Sequence, residues 1–238
     1  MRLILLAHQD DEIFMLPFID DSTSKTIIYL TSGVSRYASQ EEIKIRHKES
    51  QNILKKYLSP RNCTVVWWGN KNSHPEGELH KFSGPDEIKA LLSYINTLNV
   101  NVTEIVTTTF EGAHHDHDSA AYIARKIGEK LNLVPIEVAT YPQKFKNLYS
   151  YQVLTPKFPK KVVDFYSRKR VTLLAIHLIY AYKSQRLTWL GLGVQAVFNY
   201  AFKSFKVSQP LPITFQSPCF YEYRGRANQR TILSHLGK

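Results

Sequence analysis

Five apolar residues, Leu3 to Ala7, run directly into His8-Gln9-Asp10-Asp11-Glu12, and this junction constrains the chain more than any other stretch. An unbroken apolar run of that length reads as a strand of a parallel sheet, buried on both faces. In open α/β sheets ligands gather at the carboxyl ends of strands, so a His and three acids packed there form a site candidate. His8 and Asp11 stand three apart on the turn leaving the strand, a spacing at which an imidazole and a carboxylate can share a divalent metal. The acids could equally cap a helix beginning near Ile13. Two ligands hold a metal poorly. A second cluster, Gly112-Ala113-His114-His115-Asp116-His117-Asp118, follows another strand-like run at Glu104 to Thr109 and offers the missing one.

The rest of the pattern alternates strand with helix. Lys25 to Leu30 reads as a second strand closing in Thr31-Ser32-Gly33, Thr64 to Trp68 as a third, Glu104 to Thr109 as a fourth and Pro135 to Tyr141 as a fifth. Between them fall a short helix from Ile13 to Phe18 stopped near Pro17, and helices over Glu41 to Leu58, Pro85 to Leu98 and Asp118 to Leu131. Asn70 to Pro85, rich in Gly, Pro, Asn and His, reads as a loop. Short strands separated by helices imply a mainly parallel three-layer α/β sheet with right-handed crossovers. Beyond Leu148 the pattern loosens. Residues 160 to 190 look helical, 194 to 206 are aromatic-rich, and Pro210 to Tyr223 reads as extended.

A chain of 238 residues suffices for one sizeable core, which suggests a single domain made of an α/β core over 1–148 and an extension over 149–238. The opening apolar run is too short for a signal-peptide core, and no later run approaches the roughly eighteen residues of a membrane span. The expectation is a cytoplasmic protein, soluble or peripheral to the membrane. Cys63 and Cys219 form neither a CxxC pair nor a disulfide framework, which suits a reducing compartment. The net charge of +11 is uneven: residues 1 to 150 balance at −1, whereas 151 to 238 carry 14 Lys and Arg against 2 acids, a balance of +12. Such a tail can serve an anionic membrane surface, a phosphorylated substrate or a nucleic acid, or be a solvated face.

Together the two clusters resemble a family. Ala7-His8-Gln9-Asp10-Asp11-Glu12 is similar to the AHPDDE motif, and His114-His115-Asp116-His117 to the HPDH motif, of the PIG-L (LmbE-like) zinc-dependent N-acetylglucosaminyl deacetylases. Thr31-Ser32-Gly33, Arg46 with Glu49, and Tyr182-Lys183-Ser184-Gln185 also sit where members have similar residues. The resemblance implies a Rossmann-like, mainly parallel sheet flanked by helices, with the basic, aromatic-rich C-terminal extension packed on it. Gln9 and His115 stand where the family has Pro, and Gly112 where some members carry Tyr.

The resemblance implies a metal site of His8, Asp11 and His117, two imidazoles and one carboxylate that leave a position for water, the mark of a catalytic zinc. Asp10 is then the general base. His114, as an imidazolium oriented by Asp116, would steady the oxyanion and protonate the amine. His115 has no assigned role. Arg46 and Glu49 would contact substrate, or pair with each other on the helix surface. Trp67 or Trp68 could stack on a sugar. The family's reaction is removal of acetyl from N-acetylglucosamine in a larger conjugate, lipid- or phosphate-linked. The tail, with Tyr166, Tyr180, Tyr182, Trp189, Tyr200 and Phe202 among its cations, would suit an anionic conjugate or a bilayer interface, and nucleic acid is the weaker partner. Zn2+ is the implied cofactor, with Fe2+ or another divalent ion accepted by the same donors. The rival readings are a non-haem Fe(II) oxygenase, against which the helices argue, and a non-catalytic binding protein with a residual metal site.

Overall fold

The computed structural model of the chain describes residues 1–140, 153–156, 161–164, 167–208, 210 and 228–235. At its centre is a five-stranded parallel sheet of β1 (Arg2–Leu6), β2 (Lys25–Tyr29), β3 (Cys63–Trp67), β4 (Glu104–Thr108) and β5 (Ile136–Val138), in the order β3-β2-β1-β4-β5. All five lie where the apolar runs place them. Around it stand α1 (Leu16–Ile19), α2 (Gln40–Ile53), α3 (Trp68–Asn72), α4 (Pro85–Thr97), α5 (His115–Leu131), α6 (Arg168–Ala181), α7 (Arg186–Phe202) and α8 (Gln229–His235). A short antiparallel pair, β6 (Lys161–Val163) with β7 (Phe205–Val207), joins the extension to the edge of the sheet through a bridge from Ser208 to Glu137. The segment expected to be extended, Pro210 to Tyr223, lies outside the described residues except for Pro210, as does Cys219.

Strand order decides where a site can form. From β1 the chain moves outward through β2 to β3, then crosses back to place β4 on the other side of β1. The loops leaving β1 and β4 therefore part in opposite directions beside each other, which is the crevice where open α/β sheets hold ligands.

Side-chain alternation along β1 splits the interior in two. Leu3 and Leu5 pack on one face with Leu91, Ile123 and Ile127 of α4 and α5. Ile4 and Leu6 pack on the other with Phe14, Leu174, Leu178 and Tyr200. Helices α6 and α7 thus pack on one face of the sheet, together with Ile53 of α2 and Ile19 of α1. Among the described residues no helix is long and apolar enough to cross a membrane.

Several local expectations change. Pro17 does not stop a helix; it lies in the first turn of α1, where its missing N–H costs nothing, after a 3-10 turn over Asp11–Met15. The helix expected to reach Leu58 is α-helical only to Ile53 and then widens into a π turn, Leu54–Leu58. The loop after β3 contains most of α3 and a 3-10 turn, Leu79–Phe82. Helix α5 starts at His115 rather than Asp118, because His114 caps it.

Gly69 in α3 lies so close to the end of β2 that a Cβ there would fall 2.1 Å from the carbonyl carbon of Thr31 and 2.3 Å from its Cα. Backbone cannot rotate away as a side chain can. Gly69→Ala is expected to lower stability by about 3 kcal/mol, read from the urea midpoint, the upper range of an overpacked core.

Candidate metal centre

Beyond the carboxyl ends of β1 and β4 the two clusters meet. The first loop turns at Asp10, whose φ of 109° is a left-handed value that non-glycine residues seldom adopt. The second ends at His114, whose Nδ1 accepts the backbone N–H of Asp116 at 3.2 Å and so caps α5. His115, Asp116 and His117 therefore occupy a helical first turn rather than a loose loop. The His8 and His117 rings stand 5.3 Å apart, His8 and His114 4.8 Å, and His114 and His117 5.1 Å.

Hydrogen bonds assign the tautomers. Nε2 of His8 lies 2.9 Å from Oδ2 of Asp116, a carboxylate that can only accept, so Nε2 carries a proton and Nδ1 turns toward Asp11 Oδ2 at 3.5 Å. Nδ1 of His117 lies 3.0 Å from Thr140 Oγ1, which donates its own proton to Glu111 Oε1 at 2.6 Å. Nδ1 of His117 is thus the donor, and Nε2 faces Asp11 Oδ1 at 3.1 Å. One carboxylate sits between two imidazole nitrogens.

The electrostatics match that donor set. Burial alone would favour a neutral His8, but Glu76 and Asp11, with hydrogen bonds to Asp11 and Asp116, raise its pKa well above the ordinary value. Burial alone would raise the Asp11 carboxyl, yet His117 and His8 hold it well below the usual range. The pocket attracts positive charge, and two imidazoles with one carboxylate fit a divalent ion of zinc's preferences. Thr140→Val would remove the acceptor that fixes His117, and zinc affinity by calorimetry is expected to weaken about 10- to 100-fold.

His114 is close enough to be mistaken for a ligand, since His8, His114 and His117 bring donor atoms within 4.8 Å of one another. Coordination through its Nε2 would put the ring proton on Nδ1, donor against donor with the Asp116 N–H. Burial, followed by His8 and His117, holds its pKa well below the ordinary value. The expected imidazolium is therefore corrected to a neutral ring with its proton on Nε2. The expected partner of Asp116 is corrected too: its carboxylate takes His8 Nε2 and the N–H groups of Gly77, at 2.6 Å, and Leu79, at 3.0 Å, while only its backbone meets His114. Burial opposes its ionisation, but the His8 bond and the nearby imidazoles hold its carboxyl far below the usual range.

Asp10 is gripped from two sides. Arg46 Nη2 lies 3.1 Å from Oδ1, and Trp189 Nε1 of α7 donates to Oδ2 at 3.1 Å. Burial pushes the Asp10 carboxyl up to about 7, with Arg46 pulling the other way. Arg46, buried, also donates to the Gln9 carbonyl and to Ser184 Oγ at 3.2 Å, and lies 5.1 Å over the Tyr182 ring. Glu49 accepts from the Ser184 N–H at 3.0 Å and its hydroxyl at 2.5 Å. Rather than pairing with each other or standing open to a substrate, Arg46 and Glu49 clasp the turn between α6 and α7.

The roles of two residues escaped the sequence reading. Glu12 is wholly buried and accepts from Tyr182 Oη at 2.5 Å, Tyr29 Oη at 2.9 Å and the Asp10 N–H at 2.9 Å, so it knots the β1 loop to β2 and α6. Trp189, assigned with Tyr182 and Tyr200 to a bilayer interface, points inward to Asp10; all three are buried, and Tyr200 Oη donates to the Ile13 carbonyl at 2.6 Å. The one hint in the sequence is Tyr182-Lys183-Ser184-Gln185, a tail segment that resembles a short helix motif of some PIG-L members. Trp68 packs into the core with its indole N–H on Glu87, and Trp67 lies against the His47 ring. His115 is not in the metal pocket; its Nε2 donates to the Gly77 carbonyl at 2.8 Å and its ring neighbours His80.

Comparison with known proteins bears on the family and the fold. The model of the PIG-L family, described as GlcNAc-PI de-N-acetylase, matches residues 3–127. No curated protein sequence matches the chain significantly. Among solved structures, a deacetylase of the teicoplanin biosynthetic pathway superposes with a TM-score of 0.59 at 14% identity, covering 89% of this chain and 99% of that one. A conserved protein of Thermus thermophilus gives 0.58 at 17%, covering 90% and 96%. A 4-carboxy-2-hydroxymuconate hydratase of Pseudomonas putida gives 0.52 at 11%, covering 91% and 98%. The fold thus hosts more than one reaction, and the site rather than the scaffold must decide between them.

Proposed function

We propose that this chain, which belongs to the PIG-L family, is a metal-dependent N-deacetylase acting on the N-acetylglucosamine, or a related N-acetyl amino sugar, of a larger conjugate. The observation that carries the reading is the Asp11 carboxylate between the inward nitrogens of His8 and His117, with Asp10 and His114 flanking it. The family's description and the teicoplanin deacetylase neighbours support the same reaction class.

His8, Asp11 and His117 would hold the ion, for which zinc is our assignment. When bound, it supplies a water whose pKa falls toward about 7 and polarises the amide carbonyl. Asp10, steadied by Arg46 and Trp189, would accept a proton from the attacking water as general base. His114 donates its Nε2 proton as a hydrogen bond to the oxygen that gains charge. Asp10, now carrying a proton, returns it to the departing amine, so acetate and a free amino sugar leave and the carboxylate is restored. Asp116 keeps a His8 proton on Nε2, so that Nδ1, on the Asp11 side, would be the nitrogen that holds the metal.

The test is to load the protein with zinc, offer N-acetylglucosamine linked to phosphatidylinositol, inositol, a nucleotide and a glycan chain, and measure acetate together with the new amine. Acetate release from one of these, abolished by a chelator and restored by zinc, is the expected result. Turnover of an unsaturated acid by hydration, with no acetate from any conjugate, would overturn the proposal in favour of hydratase chemistry.

A further inference from the structure

Helix α7 carries two apolar faces, and among the described residues only one is packed. Its inner face buries Trp189, Gly193, Ala196 and Tyr200 against the sheet and the site. Its outer face shows Leu187 (87% exposed), Leu190 (70%), Val194 (70%), Phe198 (51%) and Phe202 (75%). Steps of three and four along a helix put these five side chains in one stripe, and no charged residue lies between Leu187 and Phe202 to break it. A contiguous exposed apolar stripe of this length is unusual on an unpartnered surface.

Along α6, α7 and the turn between them every charged residue is a cation. From Ser167 to Ser208 the chain has seven Lys and Arg and no acid. Lys183 and Arg186 stand exposed at the start of α7, and Lys203 at its end places its Nζ 5.8 Å from the centre of the Phe198 ring. Tyr180, 75% exposed, extends the amphipathic border on α6. An apolar helix face flanked by Lys and Arg suits a helix lying in the plane of an anionic lipid surface, aliphatic and aromatic groups among the acyl chains and cations at the headgroups.

From this stripe and its charge we infer that the outer face of α7 is a docking surface for anionic membranes. Docking there would bring the site to the bilayer, because the same helix that meets lipid on one side places the Trp189 indole N–H on Asp10 on the other. The inference goes beyond the deacetylase reading and can be tested without turnover, so the two can fail separately.

The experiment is vesicle co-sedimentation of the full chain. With vesicles of two parts phosphatidylcholine to one of phosphatidylglycerol at low salt, most of the protein should pellet; with phosphatidylcholine alone, or at high salt, most should stay in solution. Val194→Glu with Phe198→Glu should lower partitioning by at least about tenfold, since two exposed apolar groups become anions facing like charge. Lys183→Gln with Lys203→Gln should weaken it about fivefold per cation removed. All four positions are on the surface, and circular dichroism should show each variant folded. Failure of the parent to bind the anionic vesicles, or equal binding by the Glu variant, overturns the inference. So does a parent that sediments as a dimer, becomes monomeric on Val194→Glu with Phe198→Glu and ignores vesicles, because the stripe would then join two copies of the chain.

Discussion

Asp10→Asn is expected to keep zinc binding intact and to lower acetate release by about 10²- to 10⁴-fold, the range in which a positioned general base contributes. Asp10 is not one of the three proposed ligands: one of its oxygens faces Arg46 and the other accepts from Trp189. An amide can satisfy only one of those two donors with its carbonyl, and must turn its NH2 group toward the other. A loss of stability of about 1–3 kcal/mol should therefore accompany the loss of rate, as for a buried donor left facing a donor. Zinc titration by calorimetry, acetate release and urea denaturation separate the three effects. A variant that released acetate at close to the parent rate would remove Asp10 from the role of base.

His117→Ala should fail one step earlier, at the metal. The variant loses the nitrogen that faces Asp11 and keeps only one imidazole, so zinc affinity is expected to drop by more than about 100-fold, beyond the effect of losing a supporting partner. Acetate release should fall to background at zinc concentrations that saturate the parent. Without the metal the change also costs stability, because His117 is one of the two groups that keep the buried Asp11 carboxylate ionised. Thr140→Val distinguishes structure from ligation: it spares every ligand, so partial loss of affinity recoverable at high zinc is its signature. Equal zinc affinity in His117→Ala and the parent would dissolve the proposed ligand set.

The sheet was readable because each strand is a short apolar run bounded by turn residues, and a buried parallel strand allows little else. The convergence of His8, Asp11 and His117 was readable for a related reason: two polar clusters at the ends of strands that flank a switch point have few other places to go. What the sequence hid are roles set by contacts across long separations. Nothing near Trp189 says that its indole turns inward to Asp10 while Leu190 turns outward, since α7 is apolar nearly all round and its periodicity is faint. His114 looked like an acid because an Asp stands two residues on; only the start of α5 at His115 shows that its Nδ1 meets a backbone amide instead. Arg46 and Glu49 looked open to a substrate because their partner, Ser184, lies more than a hundred residues away.

The bonds from Tyr182 to Glu12, Trp189 to Asp10 and Tyr200 to Ile13 span 170, 179 and 187 residues. During synthesis the opening loop therefore leaves the ribosome long before the helices that lock it, and its buried acids must wait for them in water. Closing such long loops is slow, so the last event in folding and the birth of activity should coincide. Nascent chains that end short of Tyr200 should carry every candidate ligand and still release no acetate.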